Sequence, residues 1–429
     1  MTRFLLAAMP AAGHIGPLLP IARELVARGH DVAWYTGSRV REQAEATGAV
    51  YLPHIEARDI DPGNLNAEFP ERARKKGLAQ FRFDMREVFI AAVPGQVADL
   101  EAHIATFRPD VLLAEPATAG ACTVIEHRHG LPWATCNITV LGVRSRDTAP
   151  FGLGLPPPRS ALGRLSNRVV AAVMDRTLFA PIERDYEAMR SRLGLTPTAD
   201  RFIDITLSPY LFLQPTAESF EYPRSDLPPQ VHFVGPLLPP PPADFVAPPW
   251  YDELSGALPV VLVTQGTIAT DPRELLLPAL EALREEPVRV IGVTGGPDPA
   301  ELPQPPPNAR VERFVPFAAL MPHVSALVSN GGYGGLHYAL AHGVPLVVVG
   351  ATEEKPELVA RVNWSGVGVG MRTQRPKKER LRAAVRRVLG DPRYGQRAAA
   401  MRDEMAGYGG PTRAVELLEK LNRSTQGAR

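Results

Sequence analysis

The segment from Val328 to Gly335 has the composition of a binding site for a phosphate group. An apolar run that suits a strand is followed by four glycines in five positions, namely Gly331, Gly332, Gly334 and Gly335. A short helix is predicted directly after them, from Leu336 to His342. Backbone amides at the start of a helix attract anions, and glycines let the main chain approach a ligand closely. We therefore predict that a phosphate or diphosphate binds at this turn.

A histidine in the first half of the chain is a candidate for the chemistry. His14 lies in the turn between the apolar run from Phe4 to Met9 and an amphipathic helix. The ordinary pKa of histidine is near neutral pH, so His14 can act as a general base without a large shift. The alternative is that His14 only caps or shapes this turn.

Known nucleotide motifs narrow the identity of the phosphate ligand. The glycine-rich turn does not have the form G-x-x-x-x-G-K-[ST], and no lysine follows it as in ATPases. It also differs from the dinucleotide motif G-x-G-x-x-G, and so does the first turn, from Ala11 to Gly16. ATPases and nicotinamide-dependent enzymes are therefore disfavoured. The remaining interpretation is a nucleotide held by the second half of the chain, facing the histidine of the first half.

Strands and helices alternate along both halves of the chain. The first half begins with a buried strand from Phe4 to Met9 and a helix through Leu18, Ile21 and Leu25. The alternation restarts after a proline-rich segment at 231–250, which is predicted to be a linker. Such alternation indicates parallel strands with helical crossovers, so we predict two doubly wound α/β domains, 1–230 and 251–410. A single site in the cleft between them is the default expectation.

Three local predictions concern the bounds of these elements. One long helix is expected from about Leu78 to Phe107. A second helix is expected to begin at Asp271, with proline in its first turn and a kink at Pro278. A strand is expected from Val311 to Val315.

Composition argues against several classes of function. The 47 lysines and arginines balance 46 acidic residues, and this net charge of +1 argues against a nucleic-acid binder. Two cysteines, Cys122 and Cys136, are too few for a disulfide scaffold or a four-cysteine zinc site and indicate a reducing cytoplasm. No apolar run reaches the roughly 20 residues of a membrane span. The short apolar stretch at the N-terminus suits a strand better than an export signal.

Further motifs complete a resemblance to a known family of enzymes. They are GHIGP at 13–17, RGHDV at 28–32, VTQGT at 263–267, RFVP at 313–316, NGGYGG at 330–335, GVP at 343–345 and EKP at 354–356. In order and spacing they resemble the family 1 glycosyltransferases of the GT-B fold, in particular the bacterial antibiotic and macrolide enzymes. The resemblance covers nearly the whole chain. It is weakest over 54–230, where acceptor recognition would lie.

The resemblance implies an inverting glycosyltransferase that needs no metal ion and no cofactor. A sugar would pass from a UDP- or dTDP-sugar donor to a small, largely apolar aglycone, which is the acceptor. The acceptor would dock against 54–90 and 138–190. A last helix at 411–429 would cross back onto the first domain, although a partner interface suits its amphipathic pattern equally well.

The resemblance also implies a role for each matched residue. His14 would be the general base, and Glu115 would be the carboxylate that orients it. Phe314 would stack on the uracil or thymine, and the backbone of Val315 would read the edge of the base. The remaining matches would bind the diphosphate (Gly266, Thr267, Asn330, Gly331, Gly332, Gly334 and Gly335) and the sugar hydroxyls (Glu354 and Lys355).

The sequence departs from the usual pattern of the family in four ways. Asn330 stands where histidine is common, and Gly335 stands where threonine or serine is common. The pair Glu354–Lys355 replaces the usual Asp-Gln, and lysine can only donate hydrogen bonds to a sugar. Tyr338 occupies the place of a ribose-binding glutamate of the plant members. These departures bear on the identity of the sugar more than on that of the nucleotide.

Other interpretations stay open beside this one. A sugar-nucleotide epimerase would use the same donor half without an acceptor, and a non-catalytic helper would keep the fold and activate a partner enzyme. The tripeptide Asp59-Ile60-Asp61 has the D-x-D form of metal-dependent glycosyltransferases of another fold. His127 and His129 lack a third ligand in the sequence, so no metal site is predicted. A homodimer is also left open.

Overall fold

The structure is a computed structural model, and it describes residues 1–198, 201–239, 245–266 and 271–426. In this part of the chain, seven strands form a first sheet: β1 Arg3–Ala7, β2 Asp31–Tyr35, β3 Val50–Leu52, β4 Val111–Ala114, β5 Trp133–Cys136, β6 Leu211–Gln214 and β7 Val231–Phe233. Six described strands form a second sheet: β8 Val260–Thr264, β9 Arg289–Val293, β10 Ala309–Glu312, β11 Ala326–Ser329, β12 Leu346–Val349 and β13 Gly368–Met371.

Helices cover both sheets. Those of the first domain are α1 Ala12–Ile15, α2 Leu18–Ala27, α3 Arg41–Glu45, α4 Leu65–Glu68, α5 Leu78–Phe83, α6 Val93–Phe107, α7 Ala119–His129, α8 Ala161–Met174 and α9 Ala180–Arg192. Those that follow are α10 Leu276–Leu283, α11 Phe317–Leu320, α12 Tyr333–Ala341, α13 Lys355–Ser365, α14 Lys378–Gly390, α15 Pro392–Gly407 and α16 Gly410–Gln426.

Each sheet is the middle layer of three. Phe4 and Leu6 of β1 pack into an apolar cluster with α2 and α16, whereas Leu5 and Ala7 pack on the opposite face with α6 and α7. All four side chains are fully buried. Strands that are covered on both faces are apolar along their whole length, which is why β1 is a continuous apolar run rather than an alternating one. The prediction of two doubly wound α/β domains is confirmed.

The long helix predicted from Leu78 to Phe107 is wrong as a single element. It consists of α5, a π-helical stretch at Asp84–Ile90, and α6, which begins at Val93. Pro94 lies in the first turn of α6. Proline has no N–H to donate, so it suits a position whose N–H would have no partner within the helix. The helix therefore ends and restarts just before this proline.

The predicted start of a helix at Asp271 is also wrong, since α10 begins five residues later at Leu276. The side chain of Gln265 takes the capping role, because its Oε1 accepts from the backbone N–H groups of Leu275 and Leu276 at 3.2 and 3.1 Å. Pro278 consequently lies in the first turn of α10 rather than in its interior, and no kink is required there.

The first domain extends beyond the boundary predicted at residue 230. The strand β7 pairs with β6, with Val231 opposite Phe212, so it belongs to the first sheet. Three residues next to a proline-rich segment are too few for a periodic signal. The helix at the end of the chain, α16, packs on α2 and on the first sheet, where Ala414, Leu418 and Leu421 join the apolar cluster.

The strand order of each sheet determines where a ligand can bind. The first sheet has the order β3-β2-β1-β4-β5-β6-β7, and the second has the order β10-β9-β8-β11-β12-β13. The direction of winding reverses between β1 and β4 and again between β8 and β11. In open parallel sheets, ligands bind at such a reversal, outside the carboxyl ends of the strands. None of the described helices is long and apolar enough to cross a membrane.

Candidate active site

A histidine and a carboxylate meet at the reversal point of the first sheet. His14 follows β1, and Glu115 directly follows β4. The His14 Nδ1 and the Glu115 Oε2 are 2.8 Å apart. The adjacent strands β1 and β4 pair in register and end side by side, which brings together two residues separated by about a hundred positions in the chain.

The carboxylate of Glu115 is fixed by its surroundings. Its side chain is fully buried, and it also accepts hydrogen bonds from the backbone N–H groups of Met9 at 3.0 Å and Ala117 at 2.9 Å. An ionised carboxylate only accepts hydrogen bonds. His14 therefore donates through Nδ1, and its neutral form carries the free electron pair on Nε2. This arrangement would allow His14 to act as a general base that a carboxylate orients, as the resemblance implied.

Residues of both domains influence the pKa of His14. Burial lowers the pKa of His14, but the charge of Glu115, the hydrogen bond to Glu115 and the charge of Glu354 outweigh it, so the pKa lies above its ordinary value. Glu354 is the residue before α13 in the second domain. The start of α13 in the second domain therefore contributes to the electrostatics of His14.

This pKa leads to a prediction for the pH dependence. A general base acts in its neutral form, so the kcat/KM for the acceptor is expected to rise with pH through the raised pKa of His14. Glu115→Gln removes the charge that raises this pKa, while burial still lowers it. The midpoint of the rise should therefore move to lower pH, and turnover should fall. The measurement is the pH–rate profile of both proteins; a midpoint that moves upward or stays in place contradicts this role of Glu115.

A second set of predicted residues meets at the reversal point of the second sheet. Gly266 follows β8 and Asn330 follows β11. The Asn330 Nδ2 donates to the backbone carbonyl of Gln265, and a Cβ atom on Gly266 would lie 3.1 Å from the Asn330 Oδ1. Gly266 has a φ of +86°, in the left-handed region that favours glycine. Thr267 lies outside the described residues.

The glycine-rich turn leaves open space in front of α12. Gly331 has a φ of +91° and packs against Lys355 and Val348. By contrast, a Cβ atom on Gly332 or on Gly334 would meet no atom within 4 Å. Gly332 is the N-cap residue of α12, so its neighbourhood combines free backbone N–H groups with the positive end of the helix dipole. A side chain here would occupy the space in which an anion can approach.

The aromatic residue predicted to stack on the base lies in a loop. The strand predicted to reach Val315 ends at Glu312, because the chain turns after β10. The side chain of Phe314 is 61% exposed, and the Arg313 guanidinium lies 5.8 Å from its ring centroid. An exposed ring at the edge of the sheet offers one free face to a planar ligand, whereas Val315 is partly buried.

The pair predicted to hold the sugar starts α13. Burial raises the pKa of the Glu354 carboxyl, and a backbone hydrogen bond, Lys355 and His14 act in the opposite direction. Lys355 is buried, and its Nζ lies 3.0 Å from the Glu353 Oε2. Glu353 has a φ of +58°, which is unusual for a residue with a side chain. The pair therefore combines a carboxyl group that interacts electrostatically with His14 and an ammonium group that pairs with Glu353.

The structure reveals interdomain contacts that the sequence analysis missed. The Tyr333 hydroxyl accepts from the Gln214 Nε2 of the first domain at 2.9 Å and donates to the Pro215 carbonyl at 3.4 Å. The His337 Nε2 lies 2.7 Å from the Thr216 Oγ1, and burial lowers the pKa of His337 to about 4. The glycine-rich turn and the helix α12 are thus attached to the first domain. The sequence signal that could have indicated these contacts was the position of Tyr333 within the glycine-rich motif.

The two motifs considered for a metal ion have local roles. The carboxylate of Asp59 accepts from the backbone N–H of Ser38, and Asp61 caps its own turn. His129 lies 3.2 Å from Glu101 on an exposed surface. Among the described residues, no three histidine, cysteine or acidic side chains are grouped as metal ligands.

Comparisons with known proteins identify the class. The family model described as "Erythromycin biosynthesis protein CIII-like, C-terminal domain" matches residues 274–421. A 4'-demethylrebeccamycin synthase of Lentzea aerocolonigenes is 46% identical over 98% of this chain and 99% of the relative. UDP-glycosyltransferase 2 of Phaeomoniella chlamydospora is 34% identical over 93% of this chain and 91% of the relative. The solved structure of CalG4, the calicheamicin glycosyltransferase, is 21% identical, with a TM-score of 0.77 and coverage of 98% of both chains.

The solved structure shows that the two domains have the GT-B fold. The relatives, matched over almost their whole length, show the family. The chain belongs to the family 1 glycosyltransferases of the GT-B fold and is similar to their bacterial antibiotic and macrolide members. It is therefore an enzyme that transfers glycosyl groups, as the motifs predicted.

Proposed function

We propose that this enzyme transfers a sugar, with inversion, from a UDP- or dTDP-sugar to a small, largely apolar acceptor. His14 Nε2 takes the proton of the acceptor group. The acceptor atom then bonds to C1 of the sugar from the face opposite the nucleotide. The bond between C1 and the diphosphate oxygen breaks, and the diphosphate leaves with the electron pair. Atoms and charge balance without a metal ion or another cofactor.

The single observation that carries this proposal is the pairing of His14 with Glu115 at the carboxyl ends of β1 and β4. The 2.8 Å hydrogen bond holds the ring with Nε2 free, and the buried carboxylate stabilises the imidazolium that forms. The charge of Glu354 reaches His14 from the second domain. A sugar held by Glu354 and Lys355 would therefore lie beside the base.

The open turn before α12 supports the binding of a diphosphate, which is the leaving group of the proposed reaction. Negative charge builds up on the departing diphosphate, and preorganised backbone N–H groups stabilise such charge. The space in front of Gly332 and Gly334 is open, and Phe314 offers an exposed ring for the base. The name of the relative UDP-glycosyltransferase 2 favours a nucleoside diphosphate sugar as donor.

Exposed apolar side chains support an apolar acceptor. They concentrate on the first-domain segments predicted to receive it: Leu78, Leu155, Leu162, Leu165, Val169 and Val173. None of the residues of α8 is fully buried, although its apolar positions recur at helical spacing. An exposed apolar surface of this kind marks a binding region. The names of the rebeccamycin and calicheamicin enzymes favour a natural product as the acceptor.

Thermal unfolding in EDTA tests the donor site directly. Ligand at about 100 times its Kd adds roughly 2.7 kcal/mol to the stability of the native state, a shift of roughly 5–10 °C for domains of this size. We expect this shift with UDP or dTDP and none with ADP or NAD. The absence of a shift with either pyrimidine nucleotide contradicts the proposed donor site and favours the helper function.

Product analysis distinguishes a glycosyltransferase from the remaining alternative, a sugar-nucleotide epimerase. With donor alone, a transferase consumes sugar nucleotide only slowly, by hydrolysis. An epimerase instead forms a new sugar nucleotide without any acceptor. Acceptor-dependent release of nucleotide with formation of a glycoside supports the proposal, and an altered sugar nucleotide without acceptor contradicts it.

A further inference from the structure

A buried group of charges joins the two domains beside the active site. Arg361 of α13 is 1% exposed, and its guanidinium contacts two carboxylates. The Arg361 Nε donates to the Glu221 Oε2 at 2.6 Å, and the Arg361 Nη1 donates to the Glu357 Oε2 at 2.8 Å. Glu221 belongs to the first domain, whereas Arg361 and Glu357 belong to the second. The proposed reaction uses none of these three side chains.

The carboxylate of Glu357 also holds a loop of the first domain. Its Oε1 accepts from the backbone N–H groups of Gly152 and Gly154, both at 2.8 Å. Gly154 has a φ of +59°, and a Cβ atom there would lie only 2.5 Å from the Pro356 carbonyl oxygen. The loop backbone therefore packs closely against the first turn of α13. We call residues 141–154 the acceptor loop, because they lie within the segment proposed to receive the acceptor.

The same charges hold the other end of the acceptor loop. The Glu221 Oε1 accepts from the Leu141 backbone N–H at 2.7 Å. The Leu141 carbonyl accepts from the Arg361 Nη2 at 3.2 Å and from the Arg224 Nη2 at 2.7 Å. Thus two arginines, Arg224 and Arg361, and two carboxylates bind the ends of the loop and orient it on α13.

The cost of burying these charges indicates that they do more than stabilise the fold. Desolvation offsets much of the attraction within a buried ion pair, and apolar residues of similar volume often stabilise a protein as well or better. The ionic group instead fixes the orientation of the loop, since each carboxylate oxygen accepts from a particular N–H group. Glu357 lies about one helical turn after Glu354. The start of α13 therefore carries both the pair proposed to bind the sugar and the carboxylate that holds the acceptor loop.

We propose that Glu357 and Arg361 are positioning residues that hold the acceptor loop in register with the sugar bound at the start of α13. They set the distance between the acceptor and the sugar without contacting either. This inference rests on the proposed function, because it takes the loop to be part of the acceptor site. It predicts that the hydrogen bonds of Glu357 and Arg361 to the loop affect the affinity for the acceptor but not the affinity for the nucleotide.

Matched variants of Glu357 separate positioning from stability. Glu357→Ala removes the acceptor of both loop N–H groups and should raise the acceptor KM at least tenfold. Glu357→Gln keeps a carbonyl oxygen for Gly152 and Gly154, so it should keep the acceptor KM within about threefold of the wild type. The Kd of UDP or dTDP should stay within twofold in both. A merely structural role would lower the melting temperature and the kcat of both variants and leave the acceptor KM unchanged.

A second variant avoids the buried charges in case Glu357→Ala does not fold. Arg372 is an exposed residue of the second domain whose Nη1 donates to the Leu153 carbonyl of the same loop at 2.9 Å. Arg372→Ala should raise the acceptor KM in the same direction. The control is Arg386→Ala, which removes an exposed arginine that pairs with Glu286 inside the second domain. The control should leave the acceptor KM unchanged.

The assay uses UDP-glucose or dTDP-glucose with a panel of planar phenols that includes 4-methylumbelliferone, and the phenol with the highest kcat/KM serves as the probe. Transfer to none of the phenols by the wild type contradicts the proposed function rather than this inference. Transfer by the wild type with an unchanged acceptor KM in Glu357→Ala overturns the inference. If Glu357→Ala does not fold, an unchanged KM in Arg372→Ala overturns it instead.

Discussion

Replacement of His14 by alanine is expected to lower turnover at least 100-fold while the affinity for UDP or dTDP stays nearly unchanged. A general base contributes about 10²–10⁴-fold to the rate, and His14 is the histidine held by the buried Glu115 at the cleft. The proposed nucleotide site lies in the second domain, so removal of the imidazole leaves it intact. The measurement is kcat with saturating donor and acceptor, together with the nucleotide Kd from calorimetry.

A control histidine shows whether the loss is specific. His129 lies on an exposed surface beside Glu101, and His129→Ala should keep wild-type turnover. An acceptor with a very acidic hydroxyl does not need a base, so the assay should use a phenol or an alcohol of ordinary pKa. Full turnover by His14→Ala with such an acceptor contradicts the role of His14 as the base.

A carboxylate at Gly332 is expected to weaken nucleotide binding at least 100-fold without unfolding the protein. Gly332 has extended backbone angles that any residue can adopt, and a Cβ atom there meets no atom within 4 Å. At the N-cap of α12, aspartate in place of glycine would also stabilise the helix by about a few tenths of a kcal/mol. Its charge would lie where the diphosphate is proposed to bind, and like charges about 4 Å apart repel by about 4 kcal/mol at an effective dielectric constant of 20.

The matched variant separates charge from size. Gly332→Asn has nearly the same volume and can also cap the helix, but it is neutral. We expect Gly332→Asn to weaken the nucleotide less than Gly332→Asp, and both variants to melt no lower than the wild type. Nucleotide affinity in Gly332→Asp equal to that of the wild type would place the diphosphate elsewhere.

Local sequence patterns were sufficient for the architecture and pointed to two candidate parts of the site, the glycine-rich turn and His14. Continuous apolar runs such as Leu346–Val349 are strands because a strand covered on both faces has no polar side. The four glycines after Val328 and the histidine after the first strand stand out because each lies where a strand ends. These signals are short in range, so a single sequence is enough to find them.

Element bounds that depend on distant partners were predicted incorrectly. The start of α10 was placed at Asp271 because aspartate often caps a helix, yet the side chain of Gln265 provides the cap from the end of β8. The strand β7 was taken as linker because three residues have no periodicity, and only their pairing with β6 places them in the sheet.

The sequence by itself determined that this chain is a two-domain α/β glycosyltransferase, since strand ends, glycine turns and motif order are local properties. Only the tertiary structure decided which charged side chains join the two domains. Glu357 and Arg361 are four residues apart on one helix, which in the sequence resembles an ordinary surface ion pair. Their partner Glu221 lies 140 positions away. Such a partnership exists only because the two domains pack against each other and exclude water from the charges between them.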